Sequence, residues 1–151
     1  KIREIMEVNY FGTMNSINSV YDYYNDKKSG QISIISSVAG YRGLPAAGAY
    51  CASKSALTSF TESLRFEMMR KNVRVSLVSP GFIKTPMTDQ NDFPMPMIKS
   101  PEFAAEKIYI GLTKKTGFEI HFPKAFTFFL KFLRILPYGI YFKLIDMGYK
   151  R

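Results

Sequence analysis

The chain has 151 residues and a formal net charge of +9, with 46% hydrophobic and 22% charged residues. This composition is typical of one folded domain with a sizeable core, and it excludes a disordered or low-complexity chain. The positive charge is not gathered into a block of lysines and arginines, and no zinc-finger spacing accompanies it. We therefore expect no nucleic-acid partner.

The opening of the chain is already helical in pattern. It contains no initiator methionine, so we expect a segment cut from within a longer protein, without a signal peptide. Apolar residues on a helical period predict one long helix over 2–24, followed by a charged, glycine-ended turn at 25–30. Residues 31–36 are rich in isoleucine and apolar on both faces, as in a parallel strand covered by helices.

The next predicted helix carries residues that point to chemistry. Residues 41–48 predict a loop, 46–70 a helix and 73–78 another strand, and this alternation indicates an α/β fold with a parallel sheet. Tyr50 and Lys54 are four positions apart and so share one face of the helix. The single cysteine, Cys51, excludes an internal disulfide and suits a reducing compartment. We expect it to be buried as a small hydrophobic residue.

The Tyr50–Lys54 pair suggests acid–base chemistry. A phenol titrates at about pH 10 in water, so at neutral pH it is a weak acid and a poor base. An ammonium at Lys54 should favour the phenolate and lower the pKa of Tyr50. Ser37 follows the first predicted strand and is placed to hold a carbonyl or alcohol oxygen beside the pair.

Three motifs lie on or beside these predicted elements. They are Ser-Ser-Val-Ala-Gly, which contains Ser37, the pair Tyr50-x-x-x-Lys54, and a Val-Asn-x-x-Gly stretch around Asn9. Together they resemble the active site of the short-chain dehydrogenase/reductase family. The resemblance implies that Ser37 orients the substrate oxygen and that Tyr50 exchanges a proton with it. It further implies that Lys54 lowers the pKa of Tyr50 and binds the ribose of a nicotinamide nucleotide. By the same resemblance, Asn9 holds a water that links Lys54 to solvent.

A Pro-Gly turn follows the strand predicted at 73–78, and the run from Pro80 to Thr85 resembles the family's P-G-x-I-x-T motif. It lies beyond the carboxyl end of a strand, where α/β sheets bind ligands. Pro80 and Gly81 force a turn that lets the backbone approach a planar ring closely. The resemblance implies that the main chain at Ile83 holds the nicotinamide amide and that the Thr85 hydroxyl contacts the amide or the pyrophosphate.

The resemblance covers residues 1 to about 122 and only the second half of the family's fold. The glycine-rich turn for the pyrophosphate, the adenosine-binding strand end and an N-A-G stretch are not in this sequence. That missing half is the part of the site that distinguishes NAD from NADP. The sequence therefore leaves open which of the two cofactors is used. NADP is slightly preferred, from the family's many carbonyl reductases.

Residues 87–100 have no clear period and contain Pro94, Met95, Pro96 and Met97. The resemblance implies a mobile substrate lid here, and methionine suits an adaptable apolar wall. Ser100 and Pro101 predict a helix start, with the helix running to about 115, and the alternation over 118–122 predicts the last strand. No cysteine cluster accompanies His121, the only histidine, so we expect no metal site and place His121 at an edge or on the surface.

The resemblance does not explain residues 124–151, a basic, aromatic, amphipathic tail after a catalytic unit at 1–123. The only polar residues over 124–136 lie in one narrow helical stripe, namely Lys124, Thr127, Lys131 and Arg134. The stretch before Pro137 is shorter than the roughly 20 residues that span a bilayer. Two alternatives stay open. The tail lies on a membrane surface and the substrate is lipophilic, or it packs on the core, the lid or a partner subunit.

The sequence thus predicts an α/β fold that is the second half of a Rossmann-like, doubly wound parallel sheet, without the first strands and the glycine-rich turn. The predicted activity is hydride transfer between NAD(P)(H) and a small, apolar carbonyl or alcohol substrate in the cytoplasm. We expect a homodimer or homotetramer that pairs the two long helices, and no activity from the fragment alone. The alternative is a truncated, catalytically silent α/β module for binding or oligomerisation.

Overall fold

The computed structural model describes residues 1–114 and 117–149. Its helices are α1 (Ile2–Met6), α2 (Gly12–Lys27), α3 (Gly48–Met69), α4 (Pro101–Thr113), α5 (Lys124–Ile135) and α6 (Tyr138–Tyr149). Its strands are β1 (Gly30–Ile35), β2 (Val73–Pro80) and β3 (Glu119–Phe122). Short 3-10 helices occupy Val38–Gly40 and Thr88–Gln90. The end predicted for α4, at about 115, lies outside the described residues.

A π-helical segment, Glu7–Phe11, joins α1 to α2, so the predicted first helix is continuous but locally widened. It runs three residues beyond its predicted end, to Lys27, and stops where Lys28 adopts a left-handed φ of 51°. The chain then turns at Gly30, whose φ is 135°. A Cβ atom built on Gly30 would lie 2.4 Å from Cε1 of Tyr24, so this tight entry into β1 requires glycine.

The sheet is parallel with strand order β1-β2-β3, which confirms the predicted α/β architecture. Ile32 pairs with Val75, and Val78 pairs with Ile120. Side chains alternate along β2, so Val75 packs with α2 and α3 on one face while Val78 packs with α4 on the other. Helices therefore cover both faces, as in a doubly wound sheet.

The prediction that the first strand is apolar on both faces is only half right. In β1, Ile32 and Ile34 are buried, whereas Ile35 is exposed and Gln31 and Ser33 are partly buried. The reason is position, because β1 is an edge strand among the described residues and only one of its faces is fully covered. The central strand β2 meets the two-sided expectation, since all its residues between Val75 and Ser79 are buried.

His121 lies on β3 at the other edge of the described sheet, which agrees with the first of its two predicted placements, an edge or the surface. Its side chain is buried because α5 folds over the strand and Thr127 Oγ1 lies 2.6 Å from Nδ1. Lys124 Nζ lies 3.1 Å from Nε2. Burial, assisted by Lys131 and Lys124, lowers the pKa of His121 to about 4, so the imidazole is neutral at physiological pH. Cys51 is buried and free, as predicted.

The tail helices are held by polar contacts with the loop that follows β1. Glu119 accepts hydrogen bonds from the Tyr41 hydroxyl at 2.6 Å and from Lys131 at 2.5 Å. Burial alone would raise the pKa of Glu119, but Lys131, Ser79 and Tyr41 hold it below its usual value. No helix among the described residues combines the length and the apolar character that a membrane crossing requires.

Arg42 makes the second contact between the loop and the tail. Its guanidinium donates to the carbonyls of Leu133 and Leu136, each at 2.8 Å, and lies 3.9 Å from the ring centroid of Tyr141. Those carbonyls end α5, where a helix has unpaired acceptors and the negative end of its dipole. Arg42 thereby fixes the end of α5 and the start of α6 together.

Replacing Arg42 by Met keeps an unbranched side chain but removes the charged donor. We expect the free energy of unfolding of the full-length protein to fall by about 1.5–3 kcal/mol, because the carbonyls that end α5 lose their partner. Chemical denaturation measures this change. The control is Arg70→Met at an exposed site, which should cost less than about 0.5 kcal/mol. Equal costs for the two variants would contradict the assignment.

Candidate active site

Ser37, Tyr50 and Lys54 converge just beyond the carboxyl end of β1. Ser37 accepts the Ala39 N–H at 3.1 Å and so caps the short helix Val38–Gly40. Tyr50 and Lys54 lie in the first two turns of α3, where Lys54 Nζ is 5.7 Å from the centroid of the Tyr50 ring. The structure therefore brings three side chains that the sequence singled out to one sheet edge, where α/β folds bind ligands.

The segment that carries Ser37 is packed tightly against α3. Ser36 is buried, and its hydroxyl donates to the carbonyl of Lys54 at 2.9 Å. A Cβ atom built on Gly40 would lie 2.8 Å from that same carbonyl oxygen and 2.9 Å from Oγ1 of Thr58. Ser55 completes the contact by donating to the carbonyl of Gly40 at 3.1 Å. These neighbours fix Ser37 with respect to Tyr50 and Lys54.

The pKa of Tyr50 differs from the prediction. Burial raises it, a hydrogen bond with the Ser37 hydroxyl opposes the rise, and Cys51 adds to it. Burial also lowers the pKa of Lys54, whose ammonium donates to the carbonyl of Ile35 at 3.3 Å. The predicted lowering of the Tyr50 pKa by Lys54 is therefore not seen. The ammonium bonds to the strand end, and burial disfavours the charged form of both groups.

Asn9 reaches α3 from the π-helical segment. Its Nδ2 donates to the Ser53 hydroxyl at 3.1 Å, and that hydroxyl donates to the carbonyl of Tyr50 at 2.8 Å. The widened turn is also bound by Thr13, whose hydroxyl donates to the Asn9 carbonyl at 2.8 Å. Single π-turns within α-helices often occur at functional sites. Asn9 thus lies beside the residue that precedes Lys54, and its contact runs through Ser53.

Pro80 and Gly81 continue from β2 alongside β3. Gly81 donates its N–H to the carbonyl of Phe122 at 2.8 Å, and a Cβ atom there would lie 3.0 Å from the Phe126 ring. Ile83 then forms a β-bridge with Lys99. In this bridge the Lys84 N–H donates to the Lys99 carbonyl, and the Lys99 N–H donates to the Phe82 carbonyl. The bridge therefore does not use the peptide N–H of Ile83.

Thr85 lies in a compact turn formed with Thr88. The Thr85 N–H donates to Thr88 Oγ1 at 2.8 Å, and that hydroxyl donates to the Ile83 carbonyl at 2.8 Å. The two threonine hydroxyls are 3.3 Å apart. Ile83 and Thr85 thus form one small unit at the carboxyl end of β2, adjacent to the strand whose end carries Ser37.

Several residues of this region were not singled out from the sequence. Among them are Ser36, Ser53, Ser55 and Thr58, whose hydroxyls hold the backbone around Ser37, Tyr50 and Lys54. Their only sequence signal was an unusual density of small hydroxyl residues beside the motifs. An aromatic group formed by Phe82, Phe93 and Phe126 was also missed, with Phe82 5.7 Å from Phe126 and 6.1 Å from Phe93 between ring centroids. Residues 1–114 and 117–149 contain no group of three or more His, Cys, Asp or Glu side chains placed to hold a metal ion.

Comparison with known proteins gives matches in sequence and in structure. Residues 1–94 match the family described as short chain dehydrogenase. An uncharacterized oxidoreductase from Myxococcus xanthus is 34% identical over 137 residues, which are 91% of this chain and 54% of that protein. Dehydrogenase/reductase SDR family member 7B of Mus musculus is 40% identical over 83 residues, which are 55% of this chain and 26% of that protein.

A solved structure agrees with these sequence matches. The crystal structure of a short chain dehydrogenase from Burkholderia cenocepacia, in complex with NADP, superposes with a TM-score of 0.76 at 30% identity. The alignment covers 86% of this chain and 54% of that one. This chain therefore spans about a quarter to a half of the length of the proteins that it matches.

Gly40→Ala tests the packing that positions Ser37. The added methyl group would overlap the Lys54 carbonyl, so we expect the free energy of unfolding to fall by about 1–3 kcal/mol. Gly43→Ala is the matched control, because no atom lies within 4 Å of a Cβ built there. Thermal or chemical denaturation of both variants gives the comparison. If Gly40→Ala is no less stable than Gly43→Ala, the close approach does not hold the loop.

Proposed function

This chain belongs to the short-chain dehydrogenase family, and from that premise we propose that it carries the catalytic half of a nicotinamide-dependent oxidoreductase. The proposed reaction interconverts a carbonyl and an alcohol. The observation that carries this proposal is the convergence of Ser37, Tyr50 and Lys54 at the carboxyl edge of the sheet. The oxidoreductase relatives at 34% and 40% identity support the same reaction class.

The donor groups at this edge fit the nicotinamide and ribose half of such a cofactor. Lys54 and Tyr50 offer an ammonium and a phenol for the ribose hydroxyls. Ile83 offers a peptide N–H that its bridge does not use, and Thr85 offers a hydroxyl for the carboxamide or the pyrophosphate. The bound cofactor would supply or accept hydride. We prefer NADP over NAD, because the solved structure at 30% identity is a complex with NADP.

In the reducing direction, the protein's task is to hold the carbonyl oxygen and to give it a proton. The Ser37 hydroxyl lies close enough to Tyr50 to oppose the rise in its pKa, so both hydroxyls can reach one substrate oxygen. Burial raises the pKa of Tyr50 and keeps it as the neutral phenol, which is the form that donates. As the alkoxide forms, Tyr50 gives its proton to that oxygen, and in the reverse direction it takes the proton back.

Replacing the lost proton is the proposed role of Lys54 and Asn9. Lys54 lies one residue beyond Ser53, to which the Asn9 side chain donates at 3.1 Å. A water bound beside Asn9 would pass a proton to Lys54 and from there to Tyr50. Asn9 lies in the π-helical segment, a feature that often occurs at functional sites, and its side chain contacts α3 there.

We propose a small, apolar substrate and a cytoplasmic enzyme. Phe82, Phe93 and Phe126 form an aromatic wall beside Gly81 at the carboxyl end of β2, and such a wall favours apolar groups. We also propose a homodimer or homotetramer that pairs α2 and α3. These helices expose large apolar side chains, among them Val20, Tyr23, Phe66 and Met69, which suit a subunit interface.

The 151 residues alone should bind nicotinamide nucleotides only weakly and turn over no substrate. The matched relatives are considerably longer than this chain, and β1 has an open edge in the described sheet that invites aggregation. Calorimetric titration of the isolated chain with NADP and NAD measures this. Micromolar binding of either nucleotide would show that these residues hold a complete site.

Tyr50→Phe in the full-length protein removes only the hydroxyl that donates the proton. We expect the chemical step to slow by roughly 10²–10⁴-fold, the usual scale for general acid catalysis, with an unchanged fold. The matched control is Tyr109→Phe on the exposed side of α4, which should keep full activity. Single-turnover kinetics measures the step. Activity of Tyr50→Phe within about threefold of the parent would contradict the assignment and favour a catalytically silent module.

Lys54→Ala separates the two roles given to the lysine. Loss of the ammonium should reduce the rate and also weaken cofactor binding, because one group serves both Tyr50 and the ribose. Measuring the dissociation constant of the nucleotide alongside the single-turnover rate tests this. A variant with a slower rate but unchanged nucleotide affinity would leave only the role towards Tyr50.

A further inference from the structure

The outer face of α5 is apolar, although polar residues hold the helix onto the protein. Thr127 is fully buried against His121, and Lys131 is paired with Glu119. Leu133 is also buried, so the packed side combines apolar and polar contacts. The opposite side exposes Phe128, Phe129, Phe132 and Ile135. Of the two alternatives that the sequence leaves open, packing on the protein thus accounts for only part of the apolar surface.

The apolar surface continues onto α6. This helix buries Tyr141, which donates to the Gly43 carbonyl at 2.5 Å. Around Tyr141 it exposes Tyr138, Ile140, Phe142, Leu144 and Met147. We call the exposed apolar side chains of α5 and α6 the tail surface. A folded protein rarely leaves so many large apolar groups side by side in water without a partner.

The charge of the tail indicates which partner fits. Residues 124–151 contain six Lys and Arg and one Asp, so they carry +5 of the net +9 of the chain. Lys124 and Lys131 contact His121 and Glu119 on the packed side. Arg134 and Lys143 are exposed cations of α5 and α6 beside the tail surface. The net positive charge of two tails opposes a contact between identical copies. An anionic lipid surface matches both properties, because its headgroups attract cations and its acyl region accepts aromatic side chains.

We propose that the tail surface docks on anionic membranes, with α5 and α6 lying in the plane of the headgroups. Each helix has 12 residues, against about 20 for a helix that crosses the bilayer, so insertion is parallel to the surface. The exposed Phe129 and Phe132 enter the acyl boundary, and the exposed Lys143 contacts anionic headgroups. The protein is then a peripheral membrane protein.

The tail surface also adjoins the proposed substrate site. Phe126 on α5 contacts Phe82, which in turn contacts Phe93 in the segment between β2 and α4. That segment exposes Met87, Met97 and Ile98 as well. An apolar substrate could pass from the bilayer along these side chains. This consequence rests on the proposed function, whereas the docking itself does not.

Flotation of the full-length protein with vesicles tests the docking without any measurement of activity. The vesicles contain either phosphatidylcholine alone or phosphatidylcholine with about 30% phosphatidylserine. We expect flotation with the anionic vesicles and much less with the neutral ones. Failure of the parent protein to float with either would overturn the proposal, whatever its enzymatic activity.

Two variants and two matched controls assign the binding to the tail surface. Phe129→Ser with Phe132→Ser removes two side chains that are each 55% exposed, and Lys143→Glu reverses an exposed charge. Each change should weaken partition into anionic vesicles about tenfold or more. Tyr109→Ser, at a residue that is 69% exposed on α4, and Lys114→Glu, with the same charge change, should partition like the parent. Equal partition of all five proteins would overturn the proposal.

The same five proteins also test the alternative that the tail surface forms a contact between two copies of the protein. If the tail surface pairs two chains, the double serine variant becomes smaller by analytical ultracentrifugation while the parent does not float. That outcome would also overturn membrane docking. Substitution is preferable to removal of the tail, because removal would expose Glu119, His121 and Arg42, which the tail covers. Circular dichroism confirms that each variant is folded.

Discussion

The contact between Gly40 and the second turn of α3 sets the geometry on which the site depends. A side chain at this position would overlap the Lys54 carbonyl, and Ser36 donates a hydrogen bond to that same carbonyl. The loop after β1 therefore lies directly on the helix that carries Tyr50 and Lys54. A site that needs its groups within fractions of an ångström gains from such packing, because a closely packed interior resists displacement.

The same loop also holds the tail. Tyr41 and Arg42 follow Gly40 immediately, and they bind Glu119 and the end of α5. One short stretch of chain thus contacts α3 on one side and α5 on the other. Loss of the tail contacts would leave the loop unsupported on that side. A change in α5 can therefore displace Ser37 indirectly, through the loop. The coupling is local, since it needs only a shift of a few bonded residues.

The sequence predicted those features that depend on short-range patterns. The alternation over 118–122 identified β3, the helical period over 2–24 identified α2, and a spacing of four placed Tyr50 and Lys54 on one face of α3. It did not predict the burial of His121, because that depends on α5 folding back over β3, which no local pattern records. The π-helical segment at Asn9 was missed for the same reason. The hydrogen bond from Asn9 to Ser53 joins residues 44 positions apart.

The protonation of Tyr50 shows how burial and charge compete at this site. A lysine four residues away was expected to favour the phenolate, yet burial disfavours the anion more strongly and the ammonium bonds to Ile35 instead. A phenol held neutral is suited to give its proton to an alkoxide, but it is a poor acceptor from an alcohol. In the proposed reaction, the oxidising direction would therefore require a further positive charge near the phenol or a turn of the Lys54 ammonium towards it. Because Lys54 is bound to the strand end by one hydrogen bond of 3.3 Å, that turn requires little rearrangement of the chain.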